Sequence, residues 1–140
     1  ATESRALGAV VRVIAGQTST GTRGPLVQTL TEPLYLDVEL PPCTGFQENL
    51  PHEHIAFVFV FRGMLDAEDG NGNPVCLVAG ELGILSHGER LTLRSAAAGA
   101  RFLLIAGRPL NEPVARGGPF VMNTKAEVRQ AFADYEAGRF

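Results

Sequence analysis

Residues suited to cross-linking, metal binding or nucleic-acid contact are scarce in this chain. Its 140 residues contain no Trp, three His and two Cys, and 12 Lys plus Arg stand against 15 Asp plus Glu. A net charge of −3 without a basic cluster argues against a nucleic-acid partner and against binding to an anionic membrane surface. The two cysteines, Cys43 and Cys76, are too few for a disulfide framework or a cysteine-based zinc site, so we interpret them as reduced, buried thiols.

Long apolar runs are also missing. The longest, from Ile55 to Phe61, is far shorter than the roughly 20 residues of a membrane-spanning helix, and the N-terminus has no signal-peptide pattern. We therefore expect a cytoplasmic protein with no membrane partner. A length of 140 residues suits one compact domain, and a hydrophobic content of 45% is enough to form its core.

Short apolar segments separated by turn residues indicate a mainly β fold. Residues 33–40 alternate between apolar and polar positions, which is the pattern of a half-buried strand. Residues 10–16 and 54–68 are two further strands, and Asn71-Gly72 favours a hairpin turn after the second. Residues 41–51 are interpreted as a break. Four further apolar segments, at 75–80, 82–85, 90–96 and 100–107, bring the expected total to seven or eight strands.

The C-terminal segment has helical periodicity instead. Thr124 and Glu127 have the spacing of a capping box, and Gly138 is a suitable helix stop, so we predict a helix over about 124–138. An apolar stripe should face the core from this helix. Its members are Val128, Ala131, Phe132 and Tyr135.

Two of the three histidines, His52 and His54, begin the apolar run that ends in Gly63. Alternate residues of a strand share a face, so both could point into a barrel. The spacing Gly45-x6-His52-x-His54-x8-Gly63 resembles the first motif of the cupin barrel, which adds a Glu four or five residues later; Val58 and Phe59 stand there instead.

The second cupin motif is degenerate as well. Gly80-x5-Ser86-His87-Gly88-x2-Leu91 keeps its frame, but Leu91 occupies the histidine position. Two of four ligands therefore remain, and iron or zinc normally requires at least three protein ligands. We interpret His52 and His54 as vestigial and expect no metal, although a weak metal site remains the alternative. No catalytic residue is assigned.

Residues 103–140 resemble the C-terminal part of the pirin family. The most specific stretch is GPFVMNT at 118–124, and residues 11–17 and 35–38 also match family segments. The resemblance implies a single pirin-like C-terminal cupin domain over 1–140, a jelly-roll barrel with one C-terminal helix. Pirins are bicupins whose iron is held by three His and one Glu in an N-terminal cupin half, and that half is absent here.

Three functions are compatible with this resemblance. The chain is a non-catalytic cupin module that packs against a partner barrel; or it contributes to a quercetin 2,3-dioxygenase activity that requires the N-terminal metal domain; or it is a metal-free binder of a small-molecule ligand. Phe57, Phe59 and Phe61 should point away from the barrel interior and form an interface. We expect this interface to bind a second copy, giving a homodimer, or an N-terminal pirin domain.

Overall fold

The computed structural model describes residues 1–86 and 88–139 and divides the chain into two compact units, Ala1–Pro109 and Leu110–Phe140. The first unit contains eight strands and one short 3-10 turn at Ala6–Gly8. Its strands are β1 (Thr2–Ser4), β2 (Val10–Ala15), β3 (Leu34–Leu40), β4 (Gly45–Asn49), β5 (Ile55–Glu68), β6 (Pro74–Val78), β7 (Leu82–Ile84) and β8 (Arg90–Gly107). All pairings between these strands are antiparallel.

The eight strands are hydrogen-bonded into one sheet that forms two layers, one containing β3 and β7 and the other containing β4 and β6. The two long strands, β5 and β8, belong to both layers. Residues 100–107 of β8 pair with β3 and with the first part of β5, which also pairs with β7. Residues 90–94 of β8 pair with β4, while the last part of β5 pairs with β6. The register of β5 against β8 shifts on both sides of Gly63, where the strand changes layer.

Alternating side chains from both layers form one apolar core. Phe46 on β4 and Phe102 on β8 meet edge to face, with ring centroids 5.5 Å apart. The core is lined by Val11, Val13, Leu36, Val38, Ala56, Val58, Val60, Leu65, Leu91, Leu93 and Leu104. The alternation of inward and outward side chains along β2, β3 and β5 therefore gives each layer an apolar inner side, and the two layers pack through these sides as a sandwich.

The second unit is a small hairpin covered by a helix. Strands β9 (Ala115–Gly117) and β10 (Phe120–Met122) pair antiparallel, and helix α1 (Lys125–Glu136) follows. Phe120 packs edge to face on Phe132, with centroids 5.0 Å apart. A Cβ at Gly117 would lie 2.7 Å from Val128 Cγ1, so the helix approaches the hairpin through a glycine.

The mainly β prediction with one C-terminal helix is confirmed. The capping box is present, since Thr124 Oγ1 accepts from the Glu127 amide and the Glu127 carboxylate accepts from the Thr124 amide. The helical stripe is only partly buried: Val128 and Ala131 are in the interior, whereas Phe132 is 38% and Tyr135 66% exposed. No helix in the described residues is long and apolar enough to span a membrane.

Three expectations about the strands and thiols were wrong. Residues 90–107 form one strand rather than two, and β4 lies inside the segment 41–51 that had been interpreted as a break. The hairpin of β9 and β10 was not predicted. Cys43 and Cys76 are free and exposed rather than buried, because they lie in the turn before β4 and on a solvated strand.

Candidate functional site

The two candidate histidines lie in different surroundings. The His54 amide donates to the Pro51 carbonyl at 3.0 Å, which closes a turn before β5 begins at Ile55. His52 is inside this turn and exposed, and it lines an open cleft with Thr18, Ser19 and Glu89. His54 is buried, with 7% of its surface exposed. The expectation that both side chains could point into a barrel is not met, because His52 is exposed within the turn, whereas His54 is buried at its end.

Both ring nitrogens of His54 are buried, and neither has a hydrogen-bond partner among the residues that the structure describes. A carboxylate oxygen of Glu32 lies 3.8 Å from Nε2, beyond hydrogen-bond distance. That same oxygen accepts a 2.7 Å hydrogen bond from Arg108 Nη2. Glu32 is thus already held by a cation, and His54 is a buried polar group that gains little from its neighbour.

The other described positions of the cupin metal site offer no donor atoms. Val58 is fully buried in the core, and Phe59 points to the opposite face of β5. Leu91 packs in the core, and His87 lies outside the described residues. Within the described residues, no group of three or more His, Cys, Asp or Glu is arranged to hold a metal ion. These residues do not fit an iron centre, which needs at least three ligands around one point.

The structure reveals a buried carboxylate that sequence reasoning missed. Glu48 faces inward from β4 with no exposed side-chain surface. Its carboxylate accepts hydrogen bonds from Arg5 Nη2 at 2.5 Å and from the Ser19 amide at 2.6 Å. Since Phe46 and Leu50 flank it at alternate positions, the period of two could have placed Glu48 inside. Both oxygens are engaged, so Glu48 ties the N-terminal segment to the core.

An apolar surface covers the outer side of the layer that contains β7. Phe57, Phe59 and Phe61 alternate with the buried Ala56, Val58 and Val60, as the sequence predicted. Phe57 is in register with Ile84 and Ile105, and Phe59 with Leu82 and Leu103. We call this surface the outer face; it comprises Ile55, Phe57, Phe59, Phe61, Leu82, Ile84, Leu103 and Ile105.

Several side chains of the outer face are strongly exposed. Ile84 is 77% exposed, and Ile55, Leu82 and Phe61 are 40–53% exposed. Its border is charged: Arg101 lies 5.1 Å from the centroid of the Phe61 ring and forms an ion pair with Asp37. An apolar centre with a polar rim is the usual composition of a protein interface.

The sequence matches a known family over most of its length. Residues 35–140 match the Pirin C-terminal cupin domain. The chain is 38% identical over 138 residues to a pirin-like protein of Caulobacter vibrioides, covering 99% of this chain and 48% of that protein. It is 40% identical over 134 residues to a putative quercetin 2,3-dioxygenase of Pseudomonas aeruginosa, covering 94% of this chain and 46% of the relative.

Solved structures agree on the fold. A crystal structure of quercetin 2,3-dioxygenase from Acinetobacter baumannii superposes with a TM-score of 0.84 at 33% identity, covering 99% of this chain and 46% of that one. The chain thus spans about half the length of the relatives it matches. With GPFVMNT at its C-terminal hairpin and a jelly-roll barrel before it, this chain belongs to the pirin family as a C-terminal cupin domain.

Proposed function

We propose that this chain is a non-catalytic packing module of a pirin-type protein and that its outer face binds another cupin barrel. The outer face is the observation that carries the proposal, because an exposed apolar surface built from eight side chains on three strands is larger than scattered surface residues. The relatives of this chain are about twice as long, which is compatible with a second barrel in the same protein.

The described residues offer no suitable set of metal ligands, which supports the non-catalytic assignment. His54 is buried beside a carboxylate that Arg108 already holds, His52 is in a turn, and Leu91 fills the third ligand position. Two relatives are named as putative quercetin 2,3-dioxygenases. We propose that any such activity in the whole protein depends on residues outside this chain.

For the isolated chain, we propose a second copy as the partner of the outer face. A two-fold axis would place the same apolar surface of both copies in contact, with each Arg101–Asp37 border at the edge. In a longer chain, an N-terminal pirin domain would take the position of the second copy.

Light scattering at micromolar concentration tests the partner assignment. We expect a mass near twice the 14.9 kDa of one chain. Ile84→Glu should convert the dimer to a monomer, because a buried, unpaired carboxylate is costly, while folding is preserved since Ile84 is 77% exposed. Gln47→Glu, on the solvated side of β4, adds the same charge elsewhere and should leave the mass unchanged. A monomeric parent chain contradicts the homodimer.

Elemental analysis and an oxygenation assay test the non-catalytic assignment. We expect the purified chain to contain no stoichiometric iron, zinc, copper or nickel and to consume no flavonol above the protein-free control. Near-stoichiometric metal that is lost in His54→Ala, together with flavonol turnover, would instead establish a metal centre.

A further inference from the structure

A second cleft opens where β5 and β8 separate. These strands pair as far as Asp66 and Arg94, and beyond this point β8 pairs with β4 alone while β5 pairs with β6 alone. The backbone edges of residues 67–68 and 90–93 therefore face each other without a shared ladder. The gap between them has a volume of about 890 Å³, within the usual range for ligand pockets.

The interior side of this cleft is apolar. Five leucines line it: Leu50, Leu77, Leu85, Leu91 and Leu93. Leu91 and Leu93 belong to the buried core, and Leu77 and Leu85 pack against it. Because Leu91 stands where a cupin metal ligand would be, the cleft leads to a hydrocarbon surface. A ligand must therefore present an apolar body to this side.

Charges of opposite sign flank the opening. Arg90 and Arg94 lie on the β8 side, and Asp66 and Glu68 on the β5 side. Among the described residues, neither Arg90 nor Arg94 forms an ion pair or a side-chain hydrogen bond, whereas Arg5, Arg12, Arg62, Arg101, Arg108 and Arg139 all do. Two exposed guanidinium groups next to an apolar cleft offer a site for an anionic group on the ligand.

The segment after β7 favours a small molecule over an inserted peptide strand. Leu85, Ser86 and Gly88 line the cleft on a third side. A Cβ at Gly70 in the β5–β6 turn would lie 3.7 Å from Ser86 Oγ, so this segment approaches the turn. An extended peptide needs a groove that is open at both ends, and these residues restrict one end.

We propose that this cleft binds a small amphiphilic anion, with an aromatic or aliphatic body on the leucines and a carboxylate or sulfonate on Arg90 and Arg94. The acidic residues of the opposite side repel the anionic group and so fix the orientation of the ligand. The site borders the outer face at Ile84, shares Leu50 and Arg90 with the open cleft that contains His52, and requires no metal.

Two fluorescent probes that share one hydrocarbon body test the proposal. Anilinonaphthalene sulfonate has an anionic group, and N-phenyl-1-naphthylamine is its neutral counterpart. We expect both probes to bind. Arg90→Gln/Arg94→Gln should weaken the binding of the sulfonate by about fivefold or more without changing the affinity for the neutral probe. The control Arg116→Gln/Arg129→Gln removes two exposed arginines of the second unit and should change neither affinity.

Blocking the cleft provides an independent measurement. Ser86→Trp adds an indole at an exposed position that lines the cleft and should weaken the binding of both probes. Ile55→Glu, on the outer face and away from the cleft lining, should leave the arginine-dependent difference intact. Failure of the sulfonate to bind, or binding that neither the arginine pair nor Ser86→Trp affects, would overturn the proposal. Displacement of both probes by an extended peptide would assign the cleft and its free strand edges to a peptide instead.

Discussion

Gly63 and Gly99 lie against each other where the two long strands change layer. A Cβ on Gly63 would overlap the carbonyl oxygen of Gly99, and a Cβ on Gly99 would lie 2.7 Å from the carbonyl oxygen of Leu40. Both glycines have positive φ, 76° and 74°. The last glycine of the first cupin motif is therefore required by a close approach of two backbones rather than by the chemistry of a metal site.

Gly63→Ala should accordingly destabilise the first unit strongly. We expect a loss of about 2 kcal/mol or more in the free energy of unfolding, because backbone strain adds to a clash with Gly99. Gly72→Ala is the matched control, since Gly72 has a similar φ of 79° but open space around its Cβ position. Denaturant melts that give equal losses for both variants would show that the clash is relieved at no cost.

Replacing His54 should stabilise the chain. Because neither buried ring nitrogen has a hydrogen-bond partner within residues 1–86 and 88–139, we expect His54→Leu to raise the free energy of unfolding by about 1 kcal/mol. The matched control is His52→Leu in the exposed turn, for which we expect a change within about 0.5 kcal/mol. If His54→Leu is instead destabilising, the imidazole has a bound water or another partner in solution.

The ion pair between Asp37 and Arg101 should make the free energy of unfolding depend on pH in the acidic range. Arg101 donates two hydrogen bonds to the Asp37 carboxylate, at 3.0 and 2.7 Å, and they hold the pKa of Asp37 below its ordinary value against the effect of burial. Because the pKa is lower in the folded state, the stabilisation is complete above the unfolded pKa of about 3.9 and is lost as the pH falls through the folded pKa.

We therefore expect Asp37→Asn to lower the free energy of unfolding by about 1–2 kcal/mol at pH 7, with a difference that shrinks below about pH 4. Glu39→Gln is the control, because Glu39 pairs with Arg62 at 2.6 Å in a more exposed position; its effect should stay within about 1 kcal/mol. Equal losses at pH 7 and pH 3 for Asp37→Asn would exclude the ionic contribution.

The start of α1 should depend on its capping box. Thr124→Ala removes the hydroxyl that accepts from the Glu127 amide at 3.2 Å, and we expect a loss of about 1 kcal/mol in the stability of the second unit. Thr124→Ser keeps the hydroxyl and should retain most of this stability. Hydrogen exchange of the first-turn amides measures the effect locally, and unchanged protection in Thr124→Ala would contradict it.

The stability of the second unit should depend strongly on Val128, although this side chain is small. Val128→Ala should cost about 2 kcal/mol because the residue is only 8% exposed and packs against Gly117 of the hairpin. Phe132→Ala should cost less than the roughly 3 kcal/mol of a fully buried Phe, because the ring is 38% exposed. A larger loss for Phe132 than 3 kcal/mol would show that this ring is covered in solution.

The sequence predicted those features that depend on local periodicity. Alternation along β3 and β5 placed Val58 inside and Phe59 outside, and the capping box placed the start of α1. Strand β4 was missed because Pro41, Pro42 and Gly45 dominate a segment whose inward residues alternate for only five positions. The histidines were misplaced because the turn closed by His54 and Pro51 has no Gly or Asn to mark it.

The cleft could not have been predicted from the sequence. It exists because β5 and β8 stop pairing at Asp66 and Arg94, and register between residues distant in the chain is a property of the folded sheet. The ion pair between Arg5 and Glu48 could not have been predicted either, because these residues are far apart in the sequence and only the fold brings them together.

The passage of β5 and β8 through both layers also constrains how the first unit can open. Each layer shares continuous backbone with the other, so separating them requires breaking ladder hydrogen bonds on two strands at once. Segments that are coupled in this way unfold as one cooperative unit. The amides of Val58, Leu65, Leu93 and Phe102 should consequently exchange with solvent at a common slow rate, although two of them belong to each layer.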